Sequence, residues 1–193
     1  MKKVGIVGDG YTAAELLRLL AGHDGLQVTA ILSTENIGRR IDRLYPQLTG
    51  YYDLICEPSD AKSLIGRCDG VFLALPHGLS VPVALQMLEA GIKCVDLGAD
   101  FRLKDPALYE KYYEKVHEAP EMLSQAVYGL TELYRDQIKQ ADLVANPGCY
   151  PTGAIMPLAP LLKAGVIENE GIIIDSKSGV SGAGRTLKEA SHF

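Results

Sequence analysis

Short apolar runs alternate along the chain with stretches whose apolar positions recur every three to four residues. Lys2 to Val7 reads as a buried strand, and Tyr11 to Ala21 as a helix with Leu16, Leu17, Leu19 and Leu20 on one face. Gln27 to Leu32 predicts a second strand ending at Ser33, and Gly70 to Leu75 a third. Leu75-Pro76-His77-Gly78 closes that strand and opens a helix from Ser80 to Ala90. Gly91 stops it, glycine being the usual left-handed terminator. Lys93 to Leu97 predicts another strand, and Ala141 to Ala145 one more. The stretch 41–70 reads mainly as loop before Ala61 to Ile65. Lys104 to Gln125, rich in charges and tyrosines, predicts an exposed, partly helical excursion, and Thr131 an N-cap for a helix through Gln140. Ala154 to Lys163 is apolar enough for a buried helix, and Ile172 to Asp175 predicts the start of a further strand. Strands alternating with helices at this spacing imply an α/β fold, a doubly wound parallel sheet with its ligand crevice beyond the carboxyl ends of the strands.

Chemistry collects at those ends. Gly8-Asp9-Gly10 turns the first strand into the helix opening at Tyr11 and Thr12, the arrangement of a Rossmann-type dinucleotide unit. Glycines let the backbone approach a pyrophosphate, and the helix start supplies N–H donors; a simple tight turn is the competing reading. The second strand ends in Ser33-Thr34 with Arg39 and Arg40 shortly after, where an NAD site usually carries an acid. Hydroxyl plus guanidinium suits a 2′-phosphate, so the pattern favours NADP, with Glu35 the competitor and solvated surface charge the bland alternative. Pro76 and His77 fall at the end of the third strand, where His77 either touches a nicotinamide or reacting group or is a histidine satisfied by loop hydrogen bonds. Asp100 and Arg102 lie two residues apart, and Arg102 is either a holder of phosphate or carboxylate or half of an internal ion pair. The loop Ser178 to Arg185, with Ser181, Gly182 and Arg185, offers backbone N–H groups to an anion or serves as a crossing between elements.

Asn146-Pro147-Gly148-Cys149-Tyr150-Pro151-Thr152 sets a cysteine where strand becomes helix. Pro151 fits the first turn, where a missing N–H costs nothing, and Gly148 lets the backbone bend just before the cysteine. The positive end of a helix favours thiolate over thiol, and the thiolate is the nucleophile. A small packed core cysteine is the competing reading.

Composition narrows the classes. The chain has 193 residues, 47% of them hydrophobic, enough for one domain or two with a packed core. A formal charge of −5 argues against nucleic-acid and anionic-membrane partners. Cys56, Cys68, Cys94 and Cys149 form no Cys-x-x-Cys pair, so neither a metal site nor a disulfide framework is indicated, and a cytoplasmic location is expected. The opening strand is too short and glycine-interrupted for a signal peptide, and no apolar run approaches membrane-spanning length.

Val4 to Gly8, Gly10-Tyr11-Thr12, Glu15 to Leu20, Asp100-Phe101-Arg102-Leu103, Tyr128-Gly129-Leu130, Ala145 to Thr152 and Ser178 to Arg185 together resemble the N-acetyl-gamma-glutamyl-phosphate reductase family, allied to the aspartate-semialdehyde dehydrogenases. The resemblance covers essentially the whole chain. It implies an NADP-binding Rossmann domain over 1–148 and, from 149 to 193, the start of an α+β catalytic domain that is cut early, with an acid/base histidine expected beyond Phe193. His192 follows the glycine-rich loop too closely to be that residue. By the same resemblance Cys149 is the nucleophile in reduction of an acyl phosphate, N-acetyl-L-glutamyl 5-phosphate, to its semialdehyde. Gly8, Gly10, Tyr11, Thr12, Ser33, Arg39, Pro76, Ser181 and Gly182 are the expected cofactor contacts, and Arg102, Asn146 and Arg185 the expected substrate contacts. Aspartyl phosphate or a carrier-bound aminoadipyl phosphate is the alternative substrate, and a non-catalytic dinucleotide-binding module the alternative class. Association into a homo-oligomer is expected. Where the family places two residues between its first glycines and a glycine after the threonine, this chain has only Asp9 and then Ala13. A shorter turn carrying a carboxylate is expected to sit near the pyrophosphate and weaken cofactor binding.

Overall fold

The structure, a computed structural model, describes residues 1–185. Chain order runs β1 (Lys2–Val7), α1 (Tyr11–Leu20), β2 (Leu26–Ser33), α2 (Ile41–Leu44), β3 (Cys56–Pro58), β4 (Gly70–Leu73), α3 (Ser80–Glu89), β5 (Lys93–Asp96), α4 (Pro106–Tyr113), α5 (Met122–Gln125), β6 (Val127–Tyr128), α6 (Thr131–Gln140), β7 (Leu143–Ala145) and α7 (Cys149–Lys163). The strands form one seven-stranded sheet in the order β3-β2-β1-β4-β5-β7-β6, and every pairing within it is parallel. Strand order reverses between β1 and β4, so the crevice that a doubly wound sheet reserves for ligands opens between their carboxyl ends.

Alternation along β1 divides the core. Val4 and Ile6 pack with Ala13, Ala14 and Leu17 of α1 and with Ile41 of α2, whereas Val7 packs with Val81, Ala84 and Met87 of α3 on the other face. Ala13 and Ala14, both buried, let α1 lie close against the sheet. Leu19, expected on the apolar face, is instead exposed, because the contact face runs through Ala13, Leu17 and Leu20. Gly91 ends α3 with φ +74 as expected.

The 104–125 excursion is exposed over most of its length and helical in α4 and α5, as expected, while Tyr109 at 1% and His117 at 5% exposure turn inward, their polar atoms reaching the buried Asp100. Three further expectations are corrected. Thr131 does not cap α6; it is the first helical residue, Leu130 occupies the cap position, and no side chain caps the helix. Residues 172–175 form no strand: Ile173 is 93% exposed, and no described strand lies beside it to pair its backbone. In α7, expected to be buried, no residue is buried. Among the described residues no helix is long and apolar enough to cross a membrane.

Candidate active site

Backbone pairing continues one step past the ends of the strands and builds a continuous rim. Gly8 N–H donates to Leu32 O at 2.9 Å, Ala74 to Val7 at 2.8 Å, Leu97 to Leu73 at 2.9 Å, Asn146 to Asp96 at 2.8 Å and Gly129 to Ala145 at 2.8 Å. Gly8, Asn146 and the residues that follow Ala74 and Asn146, Pro76 and Cys149 among them, therefore stand along one edge of the sheet.

At the β1 end of the rim, Gly8 has φ +110, and a Cβ on it would lie 2.2 Å from the Ala74 carbonyl oxygen, so only glycine fits. Gly10 caps α1 in an extended conformation with no side-chain cap, and a Cβ there would meet nothing within 4 Å. The first N–H groups of α1 thus face open space, as anion binding requires. Tyr11, Thr12, Leu97, Ser181 and Gly182 line one cavity of about 610 Å³ over this helix start. The structure therefore brings the predicted Ser181 and Gly182 to the predicted Tyr11 and Thr12, across more than half the chain.

The β2 end differs from expectation. Ser33 is 1% exposed; its hydroxyl donates to Asp9 Oδ2 at 2.9 Å and accepts the Asn36 N–H at 2.9 Å, so it is engaged inside the protein rather than turned toward a ribose phosphate. Arg39 is exposed and donates to Asn36 Oδ1 at 3.1 Å. Arg185, expected among the substrate contacts, lies here instead, 3.6 Å from Glu35. Asp9 does not face the start of α1 as its place in the turn suggested: Asn36 Nδ2 also donates to its Oδ2, at 2.6 Å, and Tyr45 Oη donates to its carbonyl at 2.7 Å. Sequence reasoning missed Asn36 and Tyr45, whose link to the turn is visible only when β2 lies beside β1.

Pro76 is exposed, and the loop around it is clamped from two sides. Asp100, fully buried, accepts N–H groups from Gly78 at 2.5 Å and Ser80 at 2.9 Å and the Tyr109 hydroxyl at 2.9 Å, while Lys115 Nζ donates to Gly78 O at 3.0 Å. His77 stays exposed beside Tyr113, ring centroids 5.8 Å apart. The internal Asp100–Arg102 ion pair does not form. Arg102 donates from Nε to Asn146 O at 2.7 Å and from Nη2 to Leu97 O at 3.0 Å, bracing the β5 and β7 ends together. Its Nη1 lies beside Gly148, 3.2 Å from where a Cβ would stand.

Asp96, at the tip of β5, is 0% exposed; Oδ1 accepts from Ser80 Oγ at 2.7 Å and Gly98 N–H at 3.0 Å, and Oδ2 has no partner. Burial, the largest influence, raises its pKa above the ordinary carboxyl value, against the hydrogen bonds from Ser80 and Gly98. A raised folded-state pKa means the folded protein holds the proton longer than the unfolded chain. Stability from this group therefore falls as pH climbs from the unfolded carboxyl value through the folded one. Asp96→Asn removes that penalty, so its melting temperature relative to the parent should rise between pH 4 and pH 7.5 in thermal scans. A difference independent of pH would remove the linkage.

Cys149 is the first residue of α7, is exposed, and follows the Gly148 cap, whose backbone is extended. Cys56, Cys68 and Cys94 are buried, and burial pushes the thiols of Cys56 and Cys94 up to about 11 and about 12. Only the cysteine at the helix start is both accessible and beside unbonded N–H groups able to receive an oxyanion. Among the described residues no group of His, Cys, Asp or Glu side chains is placed to hold a metal ion. His192 lies outside the described residues.

Two family descriptions match the sequence: semialdehyde dehydrogenase, NAD binding domain, over residues 3–141, and semialdehyde dehydrogenase, dimerisation domain, over 149–193. The N-acetyl-gamma-glutamyl-phosphate reductase of Desulforudis audaxviator is 53% identical over 100% of this chain and 56% of the relative. That of Moorella thermoacetica is 50% identical over the same shares. The chain thus spans little more than half the length of these curated relatives. Among solved structures, the aspartate semialdehyde dehydrogenase of Candida albicans with NADP superposes with a TM-score of 0.61 at 16% identity, covering 85% of this chain and 47% of that one. With more than half of its residues matched by the cofactor-domain description, this chain belongs to the semialdehyde dehydrogenase family.

Proposed function

We propose that the chain is the cofactor domain, 1–148, and the cysteine-bearing start, 149–193, of the catalytic domain of an NADPH-dependent reductase. Its substrate is N-acetyl-L-glutamyl 5-phosphate and its product the 5-semialdehyde, a step of arginine biosynthesis. The observation that carries this reading is Cys149, exposed at the start of α7 on the same rim as the Gly8-Asp9-Gly10 turn, in a chain 53% identical throughout to a reductase of that name. The residues present fit a dinucleotide: an obligate glycine at Gly8, open space at Gly10, and Tyr11, Thr12, Ser181 and Gly182 around one cavity.

Cys149 thiolate attacks the acyl carbon, a C–S bond forms, and the C–O bond to phosphate breaks as phosphate leaves with the electron pair. When bound, the nicotinamide supplies a hydride to the thioester carbonyl carbon. The N–H groups at the start of α7 receive the charge on the carbonyl oxygen, and collapse expels Cys149 as thiolate and releases the aldehyde. Arg102 keeps the Asn146-to-Cys149 turn in place through its bond to Asn146 O, and its Nη1 remains beside Gly148 for a substrate anion. Arg185, by its position near Glu35, serves the cofactor side rather than the acyl phosphate.

Assembly as a homo-oligomer belongs to the same reading; the match of 149–193 to a dimerisation domain and the unburied apolar residues of α7 support it. Four free thiols suit a reducing cytoplasm. The test runs the reaction backward with the protein from its complete reading frame: phosphate-dependent reduction of NADP should occur with N-acetylglutamate semialdehyde and not with aspartate semialdehyde. Activity on neither substrate would overturn the reading.

A further inference from the structure

Rossmann domains that take NAD place an acid at the end of the second strand for the ribose 2′-hydroxyl, and those that take NADP place an arginine nearby for the 2′-phosphate. Here the tip of β2 supplies no acid of its own. Ser33 is buried, and Glu35 is exposed, with its carboxylate 3.6 Å from Arg185. An acid arrives from the neighbouring strand instead. The Gly8-Asp9-Gly10 turn sends the Asp9 carboxylate sideways to the β2 tip, where Ser33 Oγ and Asn36 Nδ2 both donate to Oδ2, at 2.9 and 2.6 Å. Oδ1 accepts from no protein donor among the described residues, leaving it to a ligand. Tyr45 Oη on the Asp9 carbonyl and Leu32 O on the Gly8 N–H hold the turn in this pose.

Resting on the dinucleotide reading above, we propose that Asp9 is the residue that discriminates between cofactors, accepting a hydrogen bond from the adenosine ribose 2′-hydroxyl so that the protein takes NADH alongside NADPH. Arg39, held through Asn36, and Arg185 stand around the same point and keep a 2′-phosphate admissible. Two carboxylates, Asp9 and Glu35, and two guanidiniums make the locality close to neutral, which selects strongly for neither nucleotide. A 2′-phosphate brought beside Asp9 meets a like charge that a hydroxyl does not.

The experiment uses the protein from its complete reading frame and titrates NADH and NADPH separately by nucleotide fluorescence, with kcat/KM for each as a second readout. The parent protein should bind the two within about tenfold of each other. Asp9→Asn keeps the shape and the turn but removes the charge, and should shift the NADPH-to-NADH affinity ratio toward NADPH by about tenfold or more. A melting scan shows whether the variant is folded; should it not be, the ratio in the parent protein decides alone. A parent preference for NADPH beyond about a thousandfold, or a folded variant with the ratio unchanged, overturns the role of Asp9 and leaves the reductase reading standing. Binding of neither nucleotide overturns both.

Discussion

Cys149→Ala, made in the complete reading frame, should lower turnover by at least about four orders of magnitude while NADPH affinity changes by no more than about threefold, as happens when one member of a catalytic unit is removed. The large effect follows from chemistry. An acyl phosphate that never becomes a thioester has no covalent intermediate to receive hydride. None of the other three thiols of this chain can replace the missing one, since Cys56, Cys68 and Cys94 are buried and burial holds Cys56 and Cys94 as neutral thiols at physiological pH. The small effect follows from position: the side chain is exposed at the end of β7, three strands along the sheet from the Gly8 turn. Single-turnover kinetics and nucleotide titration check the two halves, and alkylation of the native parent should modify Cys149 ahead of Cys56, Cys68 and Cys94. Equal loss of turnover and of nucleotide affinity would mean that Cys149 holds the fold.

Gly8→Ala should be the most damaging single methyl in the cofactor half. The added Cβ would stand 2.2 Å from the Ala74 carbonyl oxygen, which is backbone and cannot swing aside, and φ is +110, where side chains are strained. Overpacking and left-handed strain together cost about 3 kcal/mol or more, which lowers the melting temperature by roughly 6–12 °C in a chain of this size. Gly10→Ala is the informative partner. Its Cβ meets nothing within 4 Å and φ is −76, so stability should hardly move, yet a methyl in that open space should weaken nucleotide binding. Calorimetric melting and fluorescence titration of both variants separate the two glycines; equal melting losses would refute the distinction.

Much of this was legible from residue pattern because a parallel sheet buries both faces. Its longer strands, β1, β2, β4 and β5, read as apolar runs that need no partner to be recognised. β3 and β6, of three and two residues, are too short to show any period and exist only because a neighbour offers a free edge. The opposite error at Ile172 to Ile174 has the same root: an apolar run becomes a strand only where another backbone meets it. Tyrosines and charges between Lys104 and Gln125 mark a segment that is mostly exposed, but not that Asp100 draws Tyr109 and His117 inward as buried partners. At the site, local turn chemistry marked Gly8, Gly10 and Cys149, whose roles depend on their own backbone. The positions of Asp9 and Arg185 were not legible, because their partners lie on other strands and loops.

The strand order is also a ruler. Neighbouring strands lie about 4.8 Å apart, so the end of β2 and the end of β7, four places along in β2-β1-β4-β5-β7, are separated by about 19 Å. On the proposed reading, a ligand bridging Asp9 and Cys149 lies extended across β1, β4 and β5, its adenosine end over β2 and its reactive end over β7. Exchanging β7 with its edge neighbour β6 would carry the thiol about 4.8 Å along the sheet, whereas a misplacement of about 1 Å already costs about a hundredfold in rate. Arg102, tying the ends of β5 and β7 together, pins the far mark of that scale.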